Sequence, residues 1–241
     1  MLAFALLSIL AAAPPRQPVL AYWVSHHDLP PALDRPWGEG FTNPRLVAYD
    51  DGLVIYAPDP MKGPSAVTLS ASELSALLEA SGSGFFELQD SYTGTKEMHP
   101  PVHLLTRWKG GTRKTVRFFG RTSEASDAPQ TLLRAIEKLA AFSHPKAVPW
   151  SPEEIVVRTC RTTAPPEKKA WPSSWPKPEQ GRAPGSLDGC FEHLIAGKER
   201  ARAESLLSRG KGLAVVPEGG QTWLVTFPRF ALPSEEAWAG R

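Results

Sequence analysis

The sequence predicts an α+β fold, built from antiparallel β-hairpins packed with two or three short helices and arranged as two lobes that can share one core. Three observations carry this expectation. β-rich runs come in pairs around glycine turns, two segments repeat apolar residues at helical spacing, and 25 prolines among 241 residues break the chain too often for a helical bundle.

The first hairpin is spelled by Leu46-Val47-Ala48-Tyr49 and Leu53-Val54-Ile55-Tyr56 around Asp50-Asp51-Gly52. An Asp-Gly step between β-rich runs favours a tight turn, because glycine accepts the positive φ that such a turn requires. Ser70 and Glu73 then form a capping-box pattern that opens a helix over residues 71–80, with Leu74, Leu77 and Leu78 on one face. Gly82 and Gly84 end it, and Phe85 and Phe86 return apolar side chains to the core. Residues 89–101 read as a loop.

A second hairpin pairs residues 102–108 with 112–119 across Lys109-Gly110-Gly111. In its second strand Arg113, Thr115, Arg117 and Phe119 alternate with Lys114, Val116 and Phe118. A helix over residues 129–142 follows, with Pro129 tolerated in its first turn and Leu132, Leu133, Ile136, Leu139 and Ala140 as its apolar stripe. Past Pro149 a strand over residues 155–160 gives way to Pro165-Pro166 and Trp171-Pro172-Ser173-Ser174-Trp175-Pro176-Lys177-Pro178, which cannot be regular structure. A short helix over residues 198–208 and a third hairpin, 213–216 with 221–227 around Glu218-Gly219-Gly220, complete the chain.

These elements divide the chain into a leader at residues 1–21, a proline-rich arm at 22–44, a lobe at 45–148 with two hairpins and two helices, and a second lobe at 149–241. The leader is an uncharged apolar run, Met1 to Ala13, followed by Pro14, Pro15 and Arg16. As a helix it would span about 20 Å, short of the roughly 30 Å hydrocarbon core, so a secretory signal peptide fits better than a membrane span. Cleavage after Ala13 and cleavage after Ala21 are both readable, and the alternative to a leader is a buried N-terminal helix of a cytosolic protein. Residues 14–44 carry seven prolines and no sustained period, which predicts an irregular arm.

Cys160 and Cys190 are the only cysteines, and their spacing builds no zinc site. In an exported chain they predict a disulfide; the alternative is two buried thiols. The Arg45 to Tyr56 run, Leu69-Ser70-Ala71-Ser72-Glu73-Leu74, the Phe85-Phe86 pair and the Ala128-Pro129 helix start resemble uncharacterised exported bacterial proteins, of the families called domains of unknown function. The resemblance covers residues 45–142 and implies an envelope or secreted location, periplasmic or extracellular. It implies no activity and transfers no catalytic residue.

The 27 basic and 25 acidic residues leave a formal net charge of +2. No field over the whole protein therefore draws in nucleic acid or an anionic membrane. No G-x-S-x-G elbow, phosphate-binding loop, dinucleotide glycine fingerprint or H-E-x-x-H helix occurs, which leaves no motif for a cofactor, a metal or a catalytic residue. Histidines stand at positions 26, 27, 99, 103, 144 and 193. His99 and His103 are separated by two prolines, and an extended chain would hold them about 13 Å apart, too far for one ion.

Two surfaces remain as binding candidates. Trp171 and Trp175 could present their rings on an extended segment, or pack them onto the body and pin the loop. Arg107, Arg113 and Arg117, with Lys109, Lys114 and Arg121, would form one basic surface for an anionic envelope polymer or an acidic protein, or a solvated face that resists edge pairing. The resulting expectation is an exported, non-catalytic protein that binds a protein or a polymer, with no stable membrane insertion of the mature chain. The other classes are a secreted hydrolase or metal-dependent enzyme using His99, His103 or His193, and a structural or inhibitor-like domain with a loop closed by Cys160 and Cys190.

Overall fold

The computed structural model describes residues 16–25, 44–57, 64–82, 84–94, 100–151, 153–163, 170–183, 189–199, 202–203 and 213–230. Met1 to Ala13, His26, His27, Asp28, His99 and most of the helix expected over 198–208 lie outside them. The described chain forms two helices and two mostly antiparallel sheets.

The first sheet has eight strands: β1 (Pro18–Ser25), β2 (Leu46–Tyr49), β3 (Leu53–Tyr56), β4 (Ser65–Thr68), β5 (Ser91–Thr93), β6 (Val102–Lys109), β7 (Thr112–Phe119) and β8 (Val148–Pro149). Their order is β5-β7-β6-β1-β2-β3-β4-β8, and every pair is antiparallel except β5 with β7. The expected hairpins are β2–β3 and β6–β7, the latter closed by Lys109↔Thr112. Two expectations need correcting here. Residues 18–25, expected to run from the leader into an irregular arm, form a regular strand, and residues 91–93, expected in a loop, add a parallel strand at the edge.

β1 lies inside the sheet, paired with β2 on one side and β6 on the other. Its sequence shows no polar alternation because both faces of the sheet are buried. Leu20 and Tyr22 point to one core with Leu46, Tyr56, Leu105, Val116 and Phe118, while Ala21 and Trp23 point to the opposite one with Val47, Tyr49, Ile55 and Leu104.

The first of these cores is covered by helices α1 (Ala71–Ala80) and α2 (Gln130–Ala140). α2 buries Leu132, Leu133, Ile136 and Leu139 as its period predicts, with Ala135 in place of the expected Ala140, which is exposed, and α1 contributes Leu77, Leu74 and Leu78. The capping box forms as read: the Glu73 amide donates to Ser70 Oγ, and the Ser70 amide donates to Glu73 Oε2 at 2.7 Å. Hydrogen bonds from the Ser70 side chain, then from its backbone, hold the Glu73 carboxyl down at about 2. The stability this contributes is present above the ordinary glutamate value and fades as pH falls toward about 2.

The second sheet holds β9 (Glu154–Thr162), β10 (Cys190–Ala196), β11 (Leu213–Glu218) and β12 (Gln221–Phe230) in the order β10-β9-β12-β11, all antiparallel. β11 and β12 are the third hairpin. β10 was not legible as a strand. Residues 170–181 contain no helix or strand, as the prolines require, and a single 3-10 turn, Gly197–Glu199, opens the stretch expected as a helix.

The turn between β2 and β3 anchors the chain around it. Gly52 sits at φ +87°, donates its amide to Tyr49 O and accepts from the Leu69 amide at 2.9 Å. A Cβ there would overlap the Leu69 carbonyl oxygen. Gly110 has φ +56° and open space around its Cβ position. Gly52→Ala is therefore expected to cost more than Gly110→Ala, roughly 2 to 4 kcal/mol against about 1. Urea midpoints of the two variants check this, and equal costs would contradict it.

Candidate functional site

Alternation along β9 and β10 gives the second sheet two chemically different faces. Thr159, Phe191, His193, Trp223 and Val225 share one face with Ile155, Val157 and Ile195. Arg158, Cys160, Cys190 and Glu192 share the other.

On the first face a strap of chain, residues 171–182, is laid across the strands. Trp171 and Trp175 are its anchors, 8% and 6% exposed, with their rings edge to face at 5.2 Å. The Trp171 indole donates to Pro176 O at 3.0 Å, and that of Trp175 donates to Glu199 Oε2 at 3.2 Å. A buried tryptophan hides roughly 150 to 250 Å², which at about 25 cal/mol/Å² contributes about 4 to 6 kcal/mol. Each indole hydrogen bond contributes about 1 kcal/mol net. Packing therefore holds the strap: of the two readings open from sequence, rings presented on an extended segment or rings pinned to the body, the geometry is the second.

Beneath the strap lies a polar centre in which His193, singled out from sequence only alongside His99 and His103, meets Thr159 and Pro178, which the sequence did not flag. His193 is 2% exposed and Thr159 is fully buried. Thr159 Oγ1 donates to Pro178 O at 2.7 Å, and His193 Nε2 lies 3.1 Å from both that carbonyl oxygen and Thr159 Oγ1. A carbonyl oxygen only accepts, so Nε2 carries the ring proton. Nδ1 is then a bare lone pair, buried and without a hydrogen-bond partner among the described residues. Burial pulls the His193 imidazole below its usual value, opposed by the Pro178 hydrogen bond and by Glu179 and Glu192.

The strap is fixed at its far end by backbone. Arg182 and Glu192 exchange two hydrogen bonds at 2.8 Å, which continues the sheet beyond β10. Gly181 packs so closely that a Cβ would come within 2.6 Å of Glu192 O and 2.8 Å of His193 Cε1.

On the other face Cys160 and Cys190 are bonded across directly opposed positions, Cα to Cα 4.0 Å. The neighbouring Arg161 amide donates to Gly189 O, which makes the cysteines a non-hydrogen-bonded pair, where side chains approach most closely. One step along, Arg158 grips Glu192 Oε1 through Nη2 at 2.8 Å and Nε at 3.2 Å. The bridge closes the base of the segment that carries the strap.

In the first sheet the arginines do not form one surface. The register Trp108↔Arg113 and Arg107↔Lys114 puts Arg113 and Arg117 on one side of the β6–β7 hairpin and Arg107 on the other, with Lys109 and Lys114. Arg117 stacks over Phe119 at 5.5 Å. Arg107 lies 5.9 Å from both the Phe85 and Phe86 rings and donates weakly to Gly82 O at 3.4 Å. Burial lowers its affinity for the proton, its Nε is buried without a partner, and no carboxylate pairs with it among the described residues. Lys114 pairs with Asp90, and Arg121 lies 4.0 Å from Glu124.

The described histidines are dispersed. His103 Nδ1 lies 2.9 Å from the Tyr22 hydroxyl, whose phenol is pushed well above its usual value by burial, and His144 lies 3.5 Å from Glu73. His103 and His193 belong to different sheets with different partners. Among the described residues no group of three His, Cys, Asp or Glu side chains is placed to hold a metal ion. Compared with protein-family models, with curated proteins and with solved structures, the chain matches none.

The bridge closes a long loop, so its removal acts through the unfolded chain. With a sequence separation of 30 residues, replacing both cysteines by serine is expected to lower the unfolding free energy by about 3 to 4 kcal/mol. A urea midpoint unchanged from the oxidised protein would contradict this.

Proposed function

We propose that the protein is exported and acts without catalysis, by surface contact with a protein or an envelope polymer, through the basic and aromatic edge where α1 ends against β6 and β7. The observation that carries this reading is Arg107. Its guanidinium is half buried beside the Phe85 and Phe86 rings, lacks a carboxylate partner among the described residues, and has Lys109 and Lys114 on the same face of the hairpin. An arginine partly stripped of water and flanked by apolar rings gains more from an incoming carboxylate or phosphate than one in open solvent. Such a site selects an anionic partner without the whole chain being strongly charged.

Export is supported by the bonded cysteine pair and by the apolar run at Met1 to Ala13. No helix among the described residues is long and apolar enough to cross a membrane. In this reading the leader ends at Ala13, because a cut after Ala21 would remove half of β1. The two sheets are the two lobes, and the first gains β1 from the segment expected to be leader and arm. The location agrees with the resemblance to exported bacterial proteins of unknown function.

Titration of the mature protein with polyglutamate and with polyphosphate at low salt tests the reading. Binding is expected, with at least a fivefold loss of affinity in Arg107→Ala and a smaller loss in Lys109→Ala, while both variants keep the wild-type thermal midpoint within a few degrees. Absence of binding by the wild type, or equal affinity in Arg107→Ala, would remove this surface from the proposal.

A further inference from the structure

We propose that His193 is a proton-operated latch: proton uptake at Nδ1 lets the strap over residues 171–182 lift from the second sheet and uncovers Trp171 and Trp175. The proposal stands on how the imidazole is held. It is the polar contact between the strap and the strands that can change charge, reaching Pro178 O from β10 while Thr159 reaches the same oxygen from β9. In the neutral ring Nε2–H is used and Nδ1 is idle. A proton has to enter at Nδ1, which leaves a charged N–H buried with no acceptor among the described residues. The ring cannot move aside, because Gly181 closes on Cε1 and the Trp171 ring stands 5.8 Å away.

The surrounding charges set where this occurs. Glu179 on the strap and Glu192 on β10 favour the proton, though Glu192 is already gripped by Arg158 on the opposite face. Arg161 on β9 lies over the Trp223 ring, Arg182 closes the strap through its backbone, and Glu199 accepts from Trp175. Burial is the larger effect, so the closed strap binds the proton less readily than the open one. The sign follows: closure is fully favoured above the ordinary histidine value and weakens as pH falls below about 6.5.

The consequence is a strap that stays closed for most of the time but opens more often in mild acid, briefly uncovering Trp171 and Trp175 inside a loop whose base remains tied by Cys160 and Cys190. The disulfide limits the excursion to the strap, and the hydrogen-bonded strands beneath it keep their pairing. This surface is separate from the Arg107 edge, and the two proposals stand or fall independently.

Hydrogen exchange of the whole chain at pH 7.5 and pH 5, corrected for intrinsic rates, tests the latch. Amides in residues 171–182 are expected to exchange at least tenfold faster at pH 5, with acrylamide quenching of tryptophan rising in parallel and β1 to β3 unchanged. His193→Gln keeps an N–H for Pro178 and cannot take the proton, so its strap is expected to be insensitive to pH over this range. If that variant does not fold, the wild-type His193 ring resonance supplies the same test, because its titration midpoint has to coincide with strap opening. Equal protection at both pH values, opening that persists in His193→Gln, or a His193 titration without opening would each overturn the proposal.

Discussion

The eight-stranded sheet depends on one strand, β1. Among the described residues, the hairpin β6–β7 with its parallel neighbour β5 and the strands from β2 to β8 are joined in the sheet's hydrogen bonding by Pro18–Ser25, which pairs on both sides. The residues just ahead of it continue the grip. Gln17 exchanges hydrogen bonds with Asp50, and Arg16 meets Asp51 at 2.5 Å, so the chain entering β1 clasps the turn that Gly52 makes possible. Because β1 faces a core on each side, its loss would unpair two strands and open both apolar layers, each far more costly than any exposed ion pair.

The second sheet uses a different device. Four strands leave a broad apolar face that needs cover, and the chain supplies it with a strap too rich in proline for regular structure. Two tryptophans supply the burial, a glycine permits close approach, and a covalent bridge on the opposite face fixes the segment's ends. A buried imidazole then places a titratable group under a cover otherwise held by packing.

Much of this was legible in local sequence. The Asp-Gly and Gly-Gly turns, the Ser70–Glu73 box and the 3.6-residue stripes are short-range signals, and the hairpins and helices they imply are where they were expected. The strands that were missed, β1, β4, β5, β8 and β10, carry no short-range turn or period signal of their own, and β1 lacks alternation because both its faces are buried. The split of the arginines could have been derived. A two-residue turn at Gly110-Gly111 fixes Lys109 opposite Thr112, and counting back from it places Arg107 opposite Lys114. The Thr159–His193–Pro178 centre could not, since it joins three stretches of chain that only the fold brings together. No motif distinguishes His193 from the other histidines.

The direct measurement is the N-terminal residue of the folded chain recovered after expression with its own leader in an exporting cell. The account predicts a start ahead of Pro18, at Pro14, with Arg16, Gln17 and all of β1 retained. A folded protein starting at Tyr22 would show that the sheet closes without the first half of β1, and an uncleaved chain held in the cytosol would contradict export.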